Sequence, residues 1–150
     1  MNAIQFLKNE HEKAKRAFTE IQAASGSQRA QLWANLETEL KTHEEIEEEA
    51  LYGPIAQEVG PKDTLKAWQE HHHEEVIEAE ALIEEIDGLD PRADEWIDKL
   101  EELKETLEDH IQEEEGDIWP RIEQAWDRSK LEHAGQQMEM LKQQKTSRAA

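Results

Sequence analysis

Apolar residues recur every three or four positions along most of the chain, the period of helices with one buried face. In the first stretch they fall at Ile4, Leu7, Ala14, Phe18 and Ile21. That predicts a helix from about Asn2 to Ala24, with Asn2 as its cap and Gln5 as the capping-box partner. Ser25-Gly26-Ser27 ends it and can cap the next. A second helix is expected from about Gln28 to Tyr52, striped by Leu32, Leu36, Leu40 and Leu51. Gly53-Pro54 should break it, leaving an irregular piece as far as Gly60. Pro61 suits the first turn of a third helix, which runs to about Asp87 and stops at Gly88. Its stripe is Leu65, Trp68, Val76, Ala79, Leu82, Ile83 and Ile86. The fourth helix should be capped by Asp90, with Pro91 in its first turn, and stopped by Pro120. It carries Trp96, Leu100, Leu103, Leu107 and Ile118. Ser129 can cap a short fifth helix to about Gln144, and residues 145–150 should fray.

Four long helices joined by short turns predict an all-α fold, an up-down-up-down antiparallel bundle. Residues 1–144 would form one domain, with the fifth helix closing it. The two helical hairpins would be related by an approximate two-fold.

Polar residues interrupt these stripes in a repeated way. His43 to Pro54 reads HEEIEEEALYGP, and His110 to Pro120 reads HIQEEEGDIWP. Each copy sets a Glu four residues after its His, Glu47 and Glu114, so imidazole and carboxylate stack on one face. His11 lies inside the first stripe, and His72 fills the gap between Trp68 and Val76 in the third. His71 and His73 are rotated about 100° either way, and the choice of His72 over His73 rests on a phase one residue wide. Depth along the bundle agrees as well. His11, His43 and His72 lie about 15 or 16 residues from their turns, whereas His110 lies about 20, an offset of about one helical turn.

His11, His43, Glu47, His72, His110 and Glu114 can therefore meet in one layer. Ionised carboxylates are costly to bury unless paired or metal-bound. No Lys or Arg lies on the stripes near that layer. A metal resolves the conflict. Imidazole and carboxylate ligands suit iron, manganese or zinc, and two carboxylates able to bridge suit two ions better than one. Glu44, Glu48 and Glu115 neighbour the ligand face and read as solvated surface charge. Glu115 stays an alternative to Glu114, since a slightly distorted helix lets it reach a metal. His133 reads as a surface residue, and Trp33, Trp68, Trp96 and Trp119 as packing.

Composition narrows the field further. The chain has no Cys, which removes disulfides, thiolate zinc sites and thiol catalysis. That is compatible with a reducing cytoplasm, the expected location. No stretch approaches the roughly 20 apolar residues of a membrane span, and the N-terminus lacks a signal-peptide layout. A net charge of −20 argues against nucleic acid and anionic membrane as partners.

At these residues the chain resembles the hemerythrin-like HHE cation-binding family. The matching features are Glu10-His11, the two repeats, EHHHEEV at 70–76 and LEHAGQQMEMLK at 131–142. The resemblance implies a four-helix bundle around a non-haem di-iron centre held by the six residues above. It also implies dioxygen, nitric oxide or peroxide as small ligand. Two departures stand out. The oxygen-carrying members have a second His four residues on in the third helix, where this chain has Val76. They also have an Asp five after the fourth-helix His, where this chain has Glu114 and Glu115. Sensing or reaction is therefore expected before transport. A sensor would need a separate protein partner. Alternatives are a peroxide-decomposing di-iron enzyme and an iron-handling protein, although ferritin-like sites use Glu-x-x-His spacing instead. A metal-free helical interaction module is the remaining reading.

Overall fold

The computed structural model describes residues 1–58 and 64–149, and every regular element among them is helical. The expected helix start at Pro61, the end of the irregular piece at Gly60 and the side chain of Leu65 lie outside the described residues. Helix α1 (Ala3–Ala23) is capped as its sequence requires: the Asn2 side chain accepts from the Gln5 N–H, and the Gln5 side chain accepts from Asn2. Gly26 turns the chain at φ +58, a conformation that suits glycine. Helix α2 follows (Gly26–Glu47), and Ser25 makes no side-chain cap there.

The prolines do not break the chain as expected. After α2 comes one π-turn (Glu48–Tyr52), then a further helix α3 (Gly53–Glu58). The second repeat behaves alike, with α5 (Asp94–Glu113), a π-turn (Glu114–Ile118) and α6 (Trp119–Ala125). Each π-turn closes with an i→i−5 bond, from Gly53 N to Glu48 O and from Trp119 N to Glu114 O. Pro54 and Pro120 then sit in the first turn of a new helix, where a missing N–H costs nothing. The wider turn also changes phase. A straight helix would rotate Tyr52 and Trp119 away from the face of Leu51 and Ile118, yet all four are buried.

Between the repeats, α4 (Thr64–Asp87) ends at Gly88, whose N–H bonds to Glu84 O and Glu85 O. Helix α5 starts at Asp94, not at Asp90, because the Asp90 carboxylate is used to bind the Arg92 N–H and guanidinium in a turn. That start is about one helical turn later than expected, which removes the apparent depth offset of His110. Helix α7 (Arg128–Ala149) is capped by Asp127, which accepts from the Lys130 N–H, and not by Ser129. It is as long as the bundle helices and continues past Gln144, with Lys145 bridging to Glu45 and Glu49.

Helices α1, α2, α4 and α5 form the up-down-up-down bundle, and α7 packs across α1 and α2. A Cβ at Gly135 would run into the backbone of Met1 and Asn2, so glycine lets α7 approach the start of α1 closely. Two apolar clusters result. One, at the α7 end, holds Leu7, Leu51, Tyr52, Ile118, Trp119 and Met138. The other, toward the hairpin turns, holds Phe18, Ile21, Trp33, Ile86, Trp96 and Leu100. The polar interruptions of the stripes lie between them. Among the described residues no helix is long and apolar enough to cross a membrane.

Candidate metal centre

Helix α1 contributes His11, α2 contributes His43 and Glu47, α4 contributes His72, and α5 with its π-turn contributes His110 and Glu114. All six reach one layer. Glu47 and Glu114 are fully buried, His11, His72 and His110 nearly so, and the His43 side chain is 12% exposed. Their atoms form two groups, each within 4.8 Å: His11, His43, Glu47 and Glu114, and Glu44, Glu47, His72 and His110. Glu47 belongs to both. Its Oε1 lies 2.8 Å from His43 Nε2 and 4.0 Å from His11 Nε2, while its Oε2 lies 3.8 Å from His72 Nε2. Glu114 Oε1 is 3.4 Å from His11 Nε2 and 3.0 Å from His110 Nε2.

Several neighbours escape a reading of the stripes alone. Glu44 was expected on the surface, but its carboxylate comes within 3.5 Å of His72 Nε2 and joins the second group. Glu75 lies 3.0 Å from His110 Nδ1 and 2.7 Å from His71 Nε2. Spacings of three residues, Glu44 to Glu47 and His72 to Glu75, are the signal that could have found both. Tyr52 donates to Glu114 Oε2 at 2.5 Å and accepts from the Trp119 indole at 2.9 Å. A buried tyrosine hydroxyl needs such partners, so its position in the repeat was itself informative. Glu115 is partly exposed and 3.7 Å from His11 Nδ1, outside both groups. His71, His73 and His133 are exposed. Trp119 stacks on His11, and Trp68 on His72, closing the α7 side of the layer.

Electrostatics separate the two carboxylates. Burial, then the charges of Glu114 and Glu44, push the Glu47 carboxyl well above the usual range. Burial also acts to raise Glu114, but the His110 charge and the contact with His11 outweigh it and hold Glu114 well below that range. Desolvation works against a charged His110, yet Glu114 and Glu75 overcome it and push the imidazole up to about 11. Burial, then Glu114 and Glu47, push the Tyr52 phenol well above its usual range, so it acts as a donor.

The donor set fits a metal. Glu47 Oε2 is buried in the layer with no hydrogen-bond partner, and Glu114 Oε1 and His110 Nε2, though 3.0 Å apart, do not meet in hydrogen-bonding geometry. Buried polar atoms left in this state are rare in folded proteins. A cation among these groups would supply the missing partner. The Hemerythrin HHE cation binding domain family model matches residues 2–122. The chain belongs to this family. A crystal structure of a hemerythrin HHE cation binding domain-containing protein from Mycobacterium kansasii has the same fold. It superposes with a TM-score of 0.83 over 98% of this chain and 89% of that one, at 23% identity. A DNA nickase of Nostoc sp. strain PCC 7120 is 29% identical over 123 residues, 81% of this chain and 34% of that protein. The chain thus spans about a third of that relative's length. As an HHE protein it has the His/Glu layer expected of a cation site, and Val76 lines the open space beside His110.

Proposed function

We propose that this HHE protein holds two iron ions and binds, senses or reacts with dioxygen, nitric oxide or peroxide. The observation that carries the reading is Glu47, whose two oxygens face different imidazole groups in a fully buried layer. Iron held with open positions supplies binding or reduction of dioxygen and peroxide. The chain's own residues do the rest. His11, His43 and Glu114 complete one position with Glu47, and His72, His110 and Glu44 complete the other. Tyr52 fixes Glu114 by its hydroxyl, and Glu75 fixes the His110 ring through Nδ1, the outer-ligand arrangement that holds a ligating imidazole in one orientation. Trp119 and Trp68 cover His11 and His72 and exclude water from that side. With Val76 in place of a further imidazole, the second position is left to the partly exposed Glu44 carboxylate, a more readily exchanged group, which favours sensing or reaction over transport. Nucleic acid is not among the proposed partners, because a net charge of −20 repels phosphate.

The test is metal analysis of purified protein, followed by visible and near-ultraviolet spectra of the reduced form before and after oxygen, nitric oxide and peroxide. The reading expects about two irons per chain, as two four-ligand groups require, and a spectral change with at least one of the three. Zinc alone, or iron whose spectrum none of them alters, overturns it. Steady loss of added peroxide moves the protein to the enzyme class.

A further inference from the structure

The half of the bundle toward the hairpin turns is not fully packed. A cavity of about 650 Å³ lies between the α1–α2 and α4–α5 hairpins, starting at His11, His43 and His110 and reaching Phe18, Leu32 and Ile83. The two hairpins touch each other far less than the helices within each do. Leu32, Leu40, Ala79 and Leu107 belong to the apolar stripes yet stay only partly buried, because they face this space. Small side chains at Ala14, Ala17 and Ala79 leave the room. The volume falls in the range of organic ligand sites, about 300–1,000 Å³, and far exceeds what a diatomic molecule fills.

One rim of the cavity is acidic. Glu37, Glu80, Glu84 and Asp87 line it together with Lys41, which is bonded to Glu37, while the cavity's other lysines, Lys13, Lys15, Lys104 and Lys142, come from α1, α5 and α7. The Glu37 carboxyl is mostly buried, and burial and the neighbouring Asp87 carboxyl raise it above the usual range. Asp87 is held in place by the Trp33 indole at 2.8 Å. Lys41 makes its ion pair with Glu37, and four carboxylates against that one lysine leave the rim a negative excess that a further cation offsets.

We propose that this cavity is a binding site for a cationic amphiphile, an organic molecule with one apolar chain or ring system and a protonated or quaternary amine. The apolar part lies between the hairpins along Leu40, Ala79 and Leu107. The amine sits at Glu37 and Asp87. An anionic amphiphile of equal length is rejected by the same carboxylates. The site goes beyond the metal reading and does not depend on it.

Isothermal titration of the full chain with decylammonium, 1-decanol and decanoate, each far below its micelle concentration, tests this. Decylammonium is expected to bind at least about tenfold more tightly than either of the others, a gap of roughly 1.4 kcal/mol. Glu37→Gln should narrow that gap. Ala79→Phe or Ala17→Leu should weaken decylammonium about tenfold or more by filling the cavity, with helicity and metal content unchanged. No binding by decylammonium, binding of decanoate as tight as decylammonium, or binding indifferent to both filling variants overturns the proposal. Metal content measured on the same samples reports separately on the iron reading.

Discussion

The two His-x-x-x-Glu repeats are near copies in sequence and unequal in their surroundings. Glu114 accepts from Tyr52, faces His11 and His110, and is held ionised. Its partner His110 is steadied on the far side by Glu75. Glu47 has His43 on one oxygen, an unpartnered second oxygen, and the carboxylates of Glu114 and Glu44 nearby, so burial and repulsion drive it to protonate. One repeat keeps its carboxylate charged through its own neighbours, while the other leaves its carboxylate short of positive charge. The pair teaches that near-identical motifs in one layer can be given different electrostatic tasks by their surroundings.

Isosteric neutralisation of each carboxylate is the strongest way to break this comparison. Glu114→Gln and Glu47→Gln should both lower metal content well below that of the unaltered chain. In chelator-treated protein they should part. Glu114→Gln leaves a buried, charged His110 without its main partner and should cost about 3–5 kcal/mol. Glu47→Gln removes a carboxyl that repels its neighbours, and should be neutral or stabilising. Glu48→Gln, on an exposed position, is the control that keeps its metal. Urea melts of the metal-free variants and iron analysis of the loaded ones decide it, and equal destabilisation by the two changes would show that the repeats are alike after all.

A change of pH sharpens the same contrast. His110 is raised from 6.5 to about 11 in the folded metal-free protein, so its contribution is fully present below pH 6.5 and is lost as pH climbs toward about 11. Glu47, also raised, works in the same direction above 4.5. Glu114 is lowered, and its contribution is already complete above 4.5. The metal-free protein should therefore lose stability from about pH 7 to about pH 9. The metal-loaded protein should hold or gain over that window, because ligands that bind metal must shed protons. Melting temperatures of both forms across the window give the check, and parallel curves would speak against ligation by these groups.

Glu75→Gln should come next in size. The His110 ring keeps a hydrogen-bond partner but loses the charge behind it. A change of this kind in the outer shell typically weakens metal binding by about 10- to 100-fold. Competition with a chelator measures it. One of two metals should be lost first, since Glu75 touches the group of His72 and His110 and not the group of His43. Simultaneous loss of both would mean the two positions act as one.

The bundle was legible in the stripes because helical period and burial of one face are local properties that a sequence states directly. The six-residue layer was legible for the same reason, since His and Glu at core phase contradict burial unless something compensates. What escaped depended on backbone detail. Gly53-Pro54 and Pro120 read as helix ends, yet the π-turns before them carry the chain onward and bring Tyr52 and Trp119 inward. The Asp90 side chain could cap either a helix or a turn, and its bond to Arg92 chose the turn. Glu44 and Glu75 were hidden among many acids, where a surface reading is right for most of their neighbours. The partly open stripe residues Leu40 and Leu107 were read as core because periodicity tells which way a side chain faces, not whether the opposite helix arrives to meet it.

The smallest effect concerns the bond that ties the two repeats together. Tyr52 belongs to the first repeat, Trp119 to the second, and they occupy equivalent places in the motif. The Tyr52 hydroxyl crosses over to Glu114, and Trp119 donates back to Tyr52. Tyr52→Phe keeps the ring, which packs against Trp68 and His72, and deletes only the oxygen. Glu114 Oε2 and the Trp119 indole then lose a partner inside a dry core, at about 1–3 kcal/mol in the metal-free protein. In the metal-loaded protein a cation already neutralises Glu114, so the change should be smaller there. Urea titration of both forms measures the difference. An equal loss in both would place the role of Tyr52 in packing alone, whereas a loss confined to the metal-free form makes the hydroxyl the stand-in that keeps the anchoring carboxylate in position until metal arrives.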